Sequence, residues 1–438
     1  MAKAIASLYF TGHAPSNYYF TILKSMKRNY YLILLIFLIF FAISFITNIL
    51  GSINPNVSDS FTLTGTMTGM LPFSFFIAYG LMSIPAGMII QKFHEKKSLT
   101  FSWILSFSGA LLFTLFPVFP VFLCSLFMIG CGMAIMQVAI YPLLRVAGGE
   151  ENFAFNSVVA QLVFGAASFL SPFVYSYLVL GLGGHKTNDG LINLMASLTP
   201  HELPWVSIYL LFTLISLIMM TIILVTRFPK VELKEDEIVG AWETHVELFK
   251  QKKVLLFFLG IFCYVGTEQG IANWISEFLR TYHGLTPEIE GARAVGLFWG
   301  MMTVGCILGL FLLKIMDSKI VLRIFTMAAL VILTFTLFGK VEYALFGFPA
   351  LGFCLSVMYA IIFSLALNSV SKAHGSFAGI LCTGIAGGAI VSLLVGKLKD
   401  LIGLQAGMTV LYLTLGYILS LSFWAKPIVK NATIKRKK

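Results

Sequence analysis

Glu268 is the one acidic residue that lies well inside a membrane-length apolar run of this chain, residues 254–279 (VLLFFLGIFCYVGTEQGIANWISEFL). A carboxylate near the centre of a bilayer costs roughly 2.5 kcal/mol or more. Such a group is therefore turned toward a polar cavity or kept neutral by a bound proton. Both arrangements indicate a route for protons, ions or polar solutes, so Glu268 is the first candidate for chemistry.

Amide side chains inside the apolar runs could form hydrogen bonds to a polar solute. They fall in the first, fourth, fifth, seventh and tenth predicted spans, and they are Asn48, Gln137, Gln161, Gln269, Asn273 and Asn368. Carriers built from two repeats bind their substrates near the midplane between the halves, and this distribution is typical of such a cavity. Any one of these amides could equally form an interhelical hydrogen bond, which contributes only about 0.6 kcal/mol. For Glu268 and Gln137 we favour a functional role.

Trp274 could supply an aromatic face on which the C–H side of a sugar ring stacks. It follows Glu268 by six residues, which places it about 240° further round a helix. The two side chains can therefore share one cavity only if the helix is broken. Gly266 and Gly270 flank the glutamate, and broken helices are common at transporter sites. In a straight helix, Trp274 would instead be a packing or interfacial residue.

The elements that must position these residues are membrane-spanning helices. Of the 438 residues, 58% are hydrophobic and 11% are charged, whereas soluble domains are about 45–50% apolar and about 25% charged. The apolar residues form blocks long enough to cross about 30 Å of hydrocarbon as helices. The first block, residues 30–50, is too long for the apolar core of a signal peptide, about 7–15 residues, and we expect it to be retained. The composition predicts an all-α membrane protein.

Other classes of function lack their motifs. The sequence has no nucleophile elbow, no HExxH and no phosphate-binding Gly-Lys-Ser/Thr loop, so we expect no enzyme and no catalytic residue. All six cysteines lie in apolar runs without disulfide or zinc spacing, so neither a metal nor a cofactor is expected. The net charge of +11 is better explained by membrane orientation than by binding of nucleic acid.

Twelve spans are predicted in two sets of six. They cover approximately residues 30–50, 66–90, 98–117, 119–143, 154–181, 204–226, 254–280, 293–315, 319–338, 342–367, 375–397 and 405–425. This pattern predicts an N-terminal half (1–226), a charged cytoplasmic linker (227–253) and a C-terminal half (254–438). With both termini in the cytoplasm, 24 of the 30 Lys and Arg residues face inward, which satisfies the positive-inside rule.

Four stretches give the chain a family resemblance. They are SFTLTGTMTGMLPFSFFIAYGLMSIPAGMIIQKF (60–93), YVGTEQGIANW (264–274), GFCLSVMYAIIFSLAL (352–367) and GIAGGAIVSLLVGKLKD (384–400). In this order and spacing the chain resembles the major facilitator superfamily, and within it the fucose–proton symporter branch that includes bacterial glucose/galactose carriers. The resemblance implies two pseudo-symmetric six-helix halves. It places Glu268 in the acidic position of the YVGxE motif, and it adds Tyr359 to the candidate substrate- or ion-binding residues Glu268, Gln137, Asn48, Gln161, Gln269, Asn273 and Trp274.

The chain also departs from the pattern of that branch. Gly51 stands where the branch has a span 1 Asp, Gln137 stands for the span 4 Glu, and Cys306 replaces an Arg of span 8. The positions of three sugar-contacting amides are held by Val159, Leu162 and Leu355. The usual ionisable pair of the N-terminal half is therefore absent. Glu268 remains as the candidate proton carrier, because desolvation favours its neutral form.

The sequence thus predicts a secondary active transporter for a small organic solute, a sugar by resemblance, with a proton as the coupling ion. Two alternatives remain open: a Na⁺-coupled or uncoupled facilitator of the same fold, and a membrane receptor or scaffold that does not transport. We expect a multi-pass monomer in the lipid bilayer of a bacterial inner membrane. Its expected partners are the solute and a proton or sodium ion, without nucleic acid.

Overall fold

The computed structural model describes residues 29–149, 152–183, 189–200, 202–229, 242–370 and 374–428. Within these ranges the regular structure is helical and contains no strand. Eleven helical segments are long and apolar enough to cross a membrane. One of them, Gly65–Leu115, has 51 residues and would extend about 77 Å, more than twice the hydrocarbon thickness. His94 divides it with non-helical backbone angles (φ 63°, ψ 168°), so the described residues form twelve spans, as predicted.

The bounds of the helices follow the predicted spans closely. In chain order, span 1 is Tyr30–Thr47 and Leu50–Ser60; spans 2 and 3 are Gly65–Leu115; span 4 is Phe119–Gly148; span 5 is Phe153–Gly183; span 6 is Ser207–Val225; span 7 is Lys252–Ala272 and Ile275–His283; span 8 is Ala292–Ile315; span 9 is Ser318–Phe338; span 10 is Val341–Leu355 and Met358–Leu367; span 11 is His374–Thr383 and Ala386–Ile402; span 12 is Leu404–Gly407 and Val410–Trp424. Short helices Gly190–Leu198 and Trp242–Phe249, a 3₁₀ turn Pro204–Val206 and a π turn Pro287–Gly291 lie between spans.

Two hydrophobic cores divide the bundle between spans 6 and 7. The first is built almost wholly from spans 1–6 and the second from spans 7–12. The exceptions mark where the halves meet: Ala292 and Ala389 pack in the first core, and Ile84 packs in the second. Two six-helix halves, each with its own packed interior, are expected to give this arrangement.

Spans 1 and 7 are broken at matching asparagines. The first helix of span 1 ends at Asn48, whose N–H donates to the carbonyl of Ser44. The first helix of span 7 ends at Asn273, whose N–H donates to the carbonyl of Gln269. Repeated transporter halves commonly use discontinuous helices near the substrate site; here both breaks lie past the midpoint of their span, and the break in span 7 follows Glu268 by four residues.

The two ends of the bundle can be told apart by the connections they carry. At the end that we name the terminal end, the N–H of Asn29 donates to the carbonyl of Ala147 (3.1 Å) and the N–H of Ile428 donates to the carbonyl of Asn368 (2.7 Å). The helix Trp242–Phe249 lies at the same end, where His245 is buried close to Gly379 of span 11. The opposite end carries the turns at residues 61–64, 116–118 and 284–286. The N-terminal segment 1–28, residues 230–241 of the linker and the C-terminal residues 429–438 fall outside the described residues.

Candidate functional site

Glu268 lies about halfway along span 7 and is partly exposed. The hydroxyl of Tyr264, one helical turn earlier, donates to Glu268 Oε1 at a long 3.4 Å. Cys306 of span 8, in the position of the Arg expected from the resemblance, lies within electrostatic reach of the same carboxyl. Among the described residues, no salt bridge to Glu268 is formed. The carboxyl group is thus left to bind a proton or a solute.

Beside Glu268, a cluster of hydroxyls and one thiol joins the two halves. Tyr264 and Tyr359 are ring neighbours, with centroids 5.7 Å apart. Tyr359 and Cys382 of span 11 lie close enough to interact electrostatically. Tyr79 of span 2 and Tyr141 of span 4 lie within electrostatic reach of that thiol. We name Tyr79, Tyr141, Tyr359 and Cys382 the tyrosine cluster; it presents polar groups from spans 2, 4, 10 and 11 on the terminal side of the midplane.

Two of the predicted amides are associated with the tyrosine cluster: Gln161 contacts it, and Gln137 lies in the same helix as Tyr141. Gln161 of span 5 is exposed, and its Nε2 donates to the hydroxyl of Tyr141 (2.8 Å). Gln137 lies one helical turn before Tyr141 and is partly exposed. Residues four apart share a helix face, so Gln137 and Tyr141 point the same way. The structure therefore brings Glu268, Tyr359, Gln161 and Gln137 to the facing surfaces of the two halves.

Asn48 is used for packing within the N-terminal half. It is 5% exposed, and its Nδ2 donates to the hydroxyl of Ser168 (2.8 Å). Ser168 in turn lies 2.5 Å from the hydroxyl of Ser44. This network joins spans 1 and 5, which is the interhelical alternative left open by the sequence.

The remaining candidates of span 7 lie toward the opposite end. Gln269 is buried, and its Oε1 accepts from Asn273 Nδ2 (3.2 Å). The carbonyl of Asn273 accepts from Asn54 Nδ2 of span 1 (2.8 Å). A break in span 7 was the condition for Glu268 and Trp274 to share one cavity. The helix is indeed broken, but only after Ala272. Trp274 is fully buried, and its Nε1 donates to the carbonyl of Ser392 (3.3 Å), so it packs on span 11 away from Glu268.

The halves are closed against each other at the opposite end. Spans 1 and 7 cross at Gly51, where an added β-carbon would lie 2.0 Å from the carbonyl oxygen of Ala272. Spans 2 and 11 cross at Gly396, where it would lie 2.3 Å from the carbonyl oxygen of Gly65. On the terminal side, by contrast, Gln161 and Ser364 are exposed. The polar surfaces of the site are thus sealed from the opposite end and reached from the terminal end.

This arrangement can exchange protons and form hydrogen bonds with a small polar molecule. One carboxyl group, several hydroxyls and two amides converge beside aromatic rings, the kind of lining that binds small solutes. Within the described residues, no group of three His, Cys, Asp or Glu side chains could hold a metal ion.

Tyr79, Tyr141, Tyr264 and Cys382 were not identified as site residues from the sequence. Tyr79 stands in the FIAYG stretch and Tyr141 directly precedes Pro142. Their position inside a span could have indicated a polar site, because a tyrosine of a membrane span normally lies at the membrane–water interface. Only the fold brings these three hydroxyls and the thiol of Cys382 from four spans to one place.

Comparisons with known proteins agree on the kind of molecule. The profile of the Major Facilitator Superfamily matches residues 36–393. A glucose/galactose transporter of Brucella abortus biovar 1 (strain 9-941) is 28% identical over 400 residues, covering 90% of this chain and 94% of the relative. The L-fucose-proton symporter of Escherichia coli (strain K12) is 24% identical over 382 residues, covering 83% and 86%. A solved bacterial homologue of the human lysosomal transporter Spinster, inward-facing and unoccupied, has a TM-score of 0.75 at 14% identity, covering 91% and 96%.

Proposed function

Because this chain belongs to the major facilitator superfamily, we propose that it is a secondary active transporter that moves a sugar across the membrane by alternating access, with a proton as the coupling ion. The observation that carries the proposal is the partly exposed carboxyl group of Glu268, which lies without an ion-pair partner among the described residues, next to the hydroxyls of the facing halves. We propose a sugar as the substrate because the chain is 28% identical to the glucose/galactose transporter. We propose a proton as the coupling ion because the 24% identical relative is an L-fucose-proton symporter.

The proposed site comprises Glu268, Gln137, Gln161 and Tyr359, extended by Tyr141 and Cys382. An uncharged Glu268 can donate a hydrogen bond to a sugar hydroxyl, whereas the ionised form can only accept one. The two protonation states therefore bind solute differently, and an ion shifts a conformational equilibrium only through such a difference in affinity. The aromatic rings of Tyr264 and Tyr359, whose centroids are 5.7 Å apart, would contact the C–H face of the sugar.

The proposed working unit is a monomer without enzymatic activity in a bacterial inner membrane. Its halves are residues 1–226 and 254–438, and the linker 227–253 and both termini lie in the cytoplasm. The 24 Lys and Arg residues assigned to that side support this orientation. The terminal end is then the cytoplasmic end, and the conformation described above is open toward the cytoplasm.

Counterflow of labelled sugars in proteoliposomes, with and without a pH gradient, tests the proposal. We expect glucose, galactose or fucose to exchange without a gradient and to accumulate when the outside is acid. Exchange without accumulation would support an uncoupled facilitator, which the loss of charge at Gly51 and Gln137 favours. Accumulation that follows a sodium gradient would support a sodium-coupled carrier. Absence of flux for every sugar tested would favour a receptor or scaffold.

A further inference from the structure

Asp400, at the opposite end of span 11, holds the first turn of span 2 across the boundary between the halves. Its Oδ1 accepts from the N–H of Gly65 (2.5 Å). Its Oδ2 accepts from the N–H of Thr66 (2.7 Å) and from the hydroxyl of Thr66 (2.6 Å). The first N–H groups of a helix have no partner within the helix and carry a partial positive charge. Thr64 caps this helix by accepting from the N–H of Met67, and the carboxylate of Asp400, from the other half, supplies acceptors for the two N–H groups before it.

The main chain brings these groups together. A β-carbon at Gly65 would lie 2.6 Å from the carbonyl oxygen of Gly396, and one at Gly396 would lie 2.3 Å from the carbonyl oxygen of Gly65. Any larger residue at either position would hold spans 2 and 11 apart. Asp400 follows Gly396 by four residues and so lies on the same face of the helix. The close approach of the two glycines thus sets the carboxylate against the end of span 2.

A second ionic contact crosses the same boundary. Arg280 at the end of span 7 pairs with Asp59 of span 1 (2.5 Å) and with Glu277 (2.7 Å), while Lys399 also pairs with Glu277 (2.6 Å). Glu277 is 5% exposed, but Asp59 is 66% exposed. An exposed pair contributes little, so the Arg280–Asp59 pair is the weaker of these two ionic contacts.

We propose that Asp400, bound to Gly65 and Thr66, is a latch that keeps the opposite end closed and sets how often the carrier opens there. The halves must separate at this end during alternating access, and the three hydrogen bonds must then be broken together. Asp400 is thus a positioning residue: it contacts no solute and acts on the conformational equilibrium. The inference requires alternating access, but it does not depend on which solute or ion is carried.

The reactivity of a buried cysteine measures opening at this end. Ser392 lies two turns below Asp400, on the face of span 11 that includes Gly396 and Ala389. It is fully buried, and its hydroxyl makes no hydrogen bond, so Ser392→Cys removes no contact. In a background from which the six native cysteines have been removed, the purified protein in detergent is treated with a hydrophilic maleimide. The rate of labelling at position 392 then reports the open fraction, without any solute present.

We expect Asp400→Asn to increase this rate about tenfold, which corresponds to about 1.4 kcal/mol, and Asp400→Glu to restore most of the closed state. Asp317→Asn is the matched control, because Asp317 accepts from Lys319 N and caps the start of its own helix, span 9. This control should label at the parent rate.

A second reporter separates opening from general loosening. Ser106→Cys lies buried inside the N-terminal half, and its labelling should not change with Asp400→Asn. An unchanged rate at position 392, or an equal increase at position 106, would overturn the proposal. Failure of sugar transport by the chain with its native cysteines, together with a tenfold increase at position 392, would contradict the proposed function alone.

Discussion

Gly51 of span 1 lies directly against the main chain of Ala272 in span 7, so that a β-carbon on Gly51 would be 2.0 Å from the Ala272 carbonyl oxygen. Gly51 is also the position at which the resemblance places an Asp. The structure gives a physical reason for the difference: with the opposite end closed, this crossing has no space for any side chain. The absence of an acid at position 51 therefore has the same cause as the glycine: spans 1 and 7 cross too closely there for a side chain.

Substituting Gly51 should destabilise the closed crossing. We expect Gly51→Ala to reduce the free energy of unfolding by about 1–3 kcal/mol, the usual cost of overpacking, and Gly51→Asp to reduce it further. The unfolding midpoint of the purified protein measures the change. Gly416→Ala in span 12 is the control, because a β-carbon there would meet no atom within 4 Å. Equal midpoints for the two alanine variants would contradict this account of the crossing.

Replacing Glu268 by Gln should separate exchange from coupling. The amide resembles the protonated carboxyl group but cannot release a proton, so solute exchange should persist while accumulation driven by a pH gradient is lost. Counterflow and gradient-driven uptake in proteoliposomes measure the two activities. Glu342→Gln, an exposed site at the start of span 10, should retain both. Accumulation at the wild-type level in a well-folded Glu268→Gln variant would exclude Glu268 as the coupling residue.

Introducing the missing arginine of span 8 should fix the charge of Glu268. Cys306 lies within electrostatic reach of that carboxyl, and an adjacent positive charge favours the ionised form. We expect Cys306→Arg to abolish accumulation driven by a pH gradient, whereas Cys306→Ala should retain it. The double variant Cys306→Arg with Glu268→Gln leaves a cation unpaired, and its unfolding midpoint should fall below that of either single variant. Wild-type accumulation by Cys306→Arg would argue against an interaction between the two positions.

Gln137 should contribute a hydrogen bond to the bound solute. We expect Gln137→Ala to weaken solute binding by about 1 kcal/mol, the typical net contribution of a hydrogen bond, as measured by calorimetry or by thermal stabilisation. Gln137→Glu introduces a second group that titrates and should change the dependence of uptake on pH. Gln251→Ala, at an exposed position before span 7, provides the control. Unchanged affinity and an unchanged pH profile in both Gln137 variants would assign that residue to packing.

The orientation can be tested with single cysteines in the linker. Positions 227–253 should be labelled by an impermeant reagent only after the cells are opened, because the positive-inside distribution places this segment in the cytoplasm. A cysteine at Asp189, in the described connection between spans 5 and 6 at the opposite end, should be labelled in intact cells. The reverse pattern would invert the topology.

The sequence predicted the helical class, twelve spans and the position of Glu268 near the middle of span 7, because length and hydropathy specify a span directly. It could not tell which side of each span faces the interior. In a membrane both the lipid-facing and the packed surfaces are apolar, so the helical period of hydrophobicity carries little information. Asn48 and Gln161 were therefore equivalent as sequence positions, although one bonds Ser168 within its half and the other bonds Tyr141 at the facing surface.

The position of the break in span 7 could not be predicted from the sequence either. Gly266 and Gly270 indicated that the helix could be interrupted around Glu268, but it continues past both to Ala272. Both glycines instead face neighbouring spans: a β-carbon at Gly266 would lie 2.5 Å from Val391 of span 11, and one at Gly270 would lie 2.9 Å from Leu411 of span 12 and 3.2 Å from Val391. A glycine within a membrane helix can serve a bend or a close contact, and only the neighbouring span decides which.

Main-chain atoms, rather than apolar side chains, form the tightest contacts of the closed end, at Gly51 and at Gly65 with Gly396. Separating these surfaces exposes peptide groups to water, and hydration of polar groups lowers the heat capacity whereas hydration of apolar groups raises it. Opening at these crossings should therefore have a smaller heat-capacity change than separation of an apolar interface of equal area. The enthalpy of opening would then change less with temperature, so the balance between the two access states would follow temperature with less curvature than it would at an apolar interface.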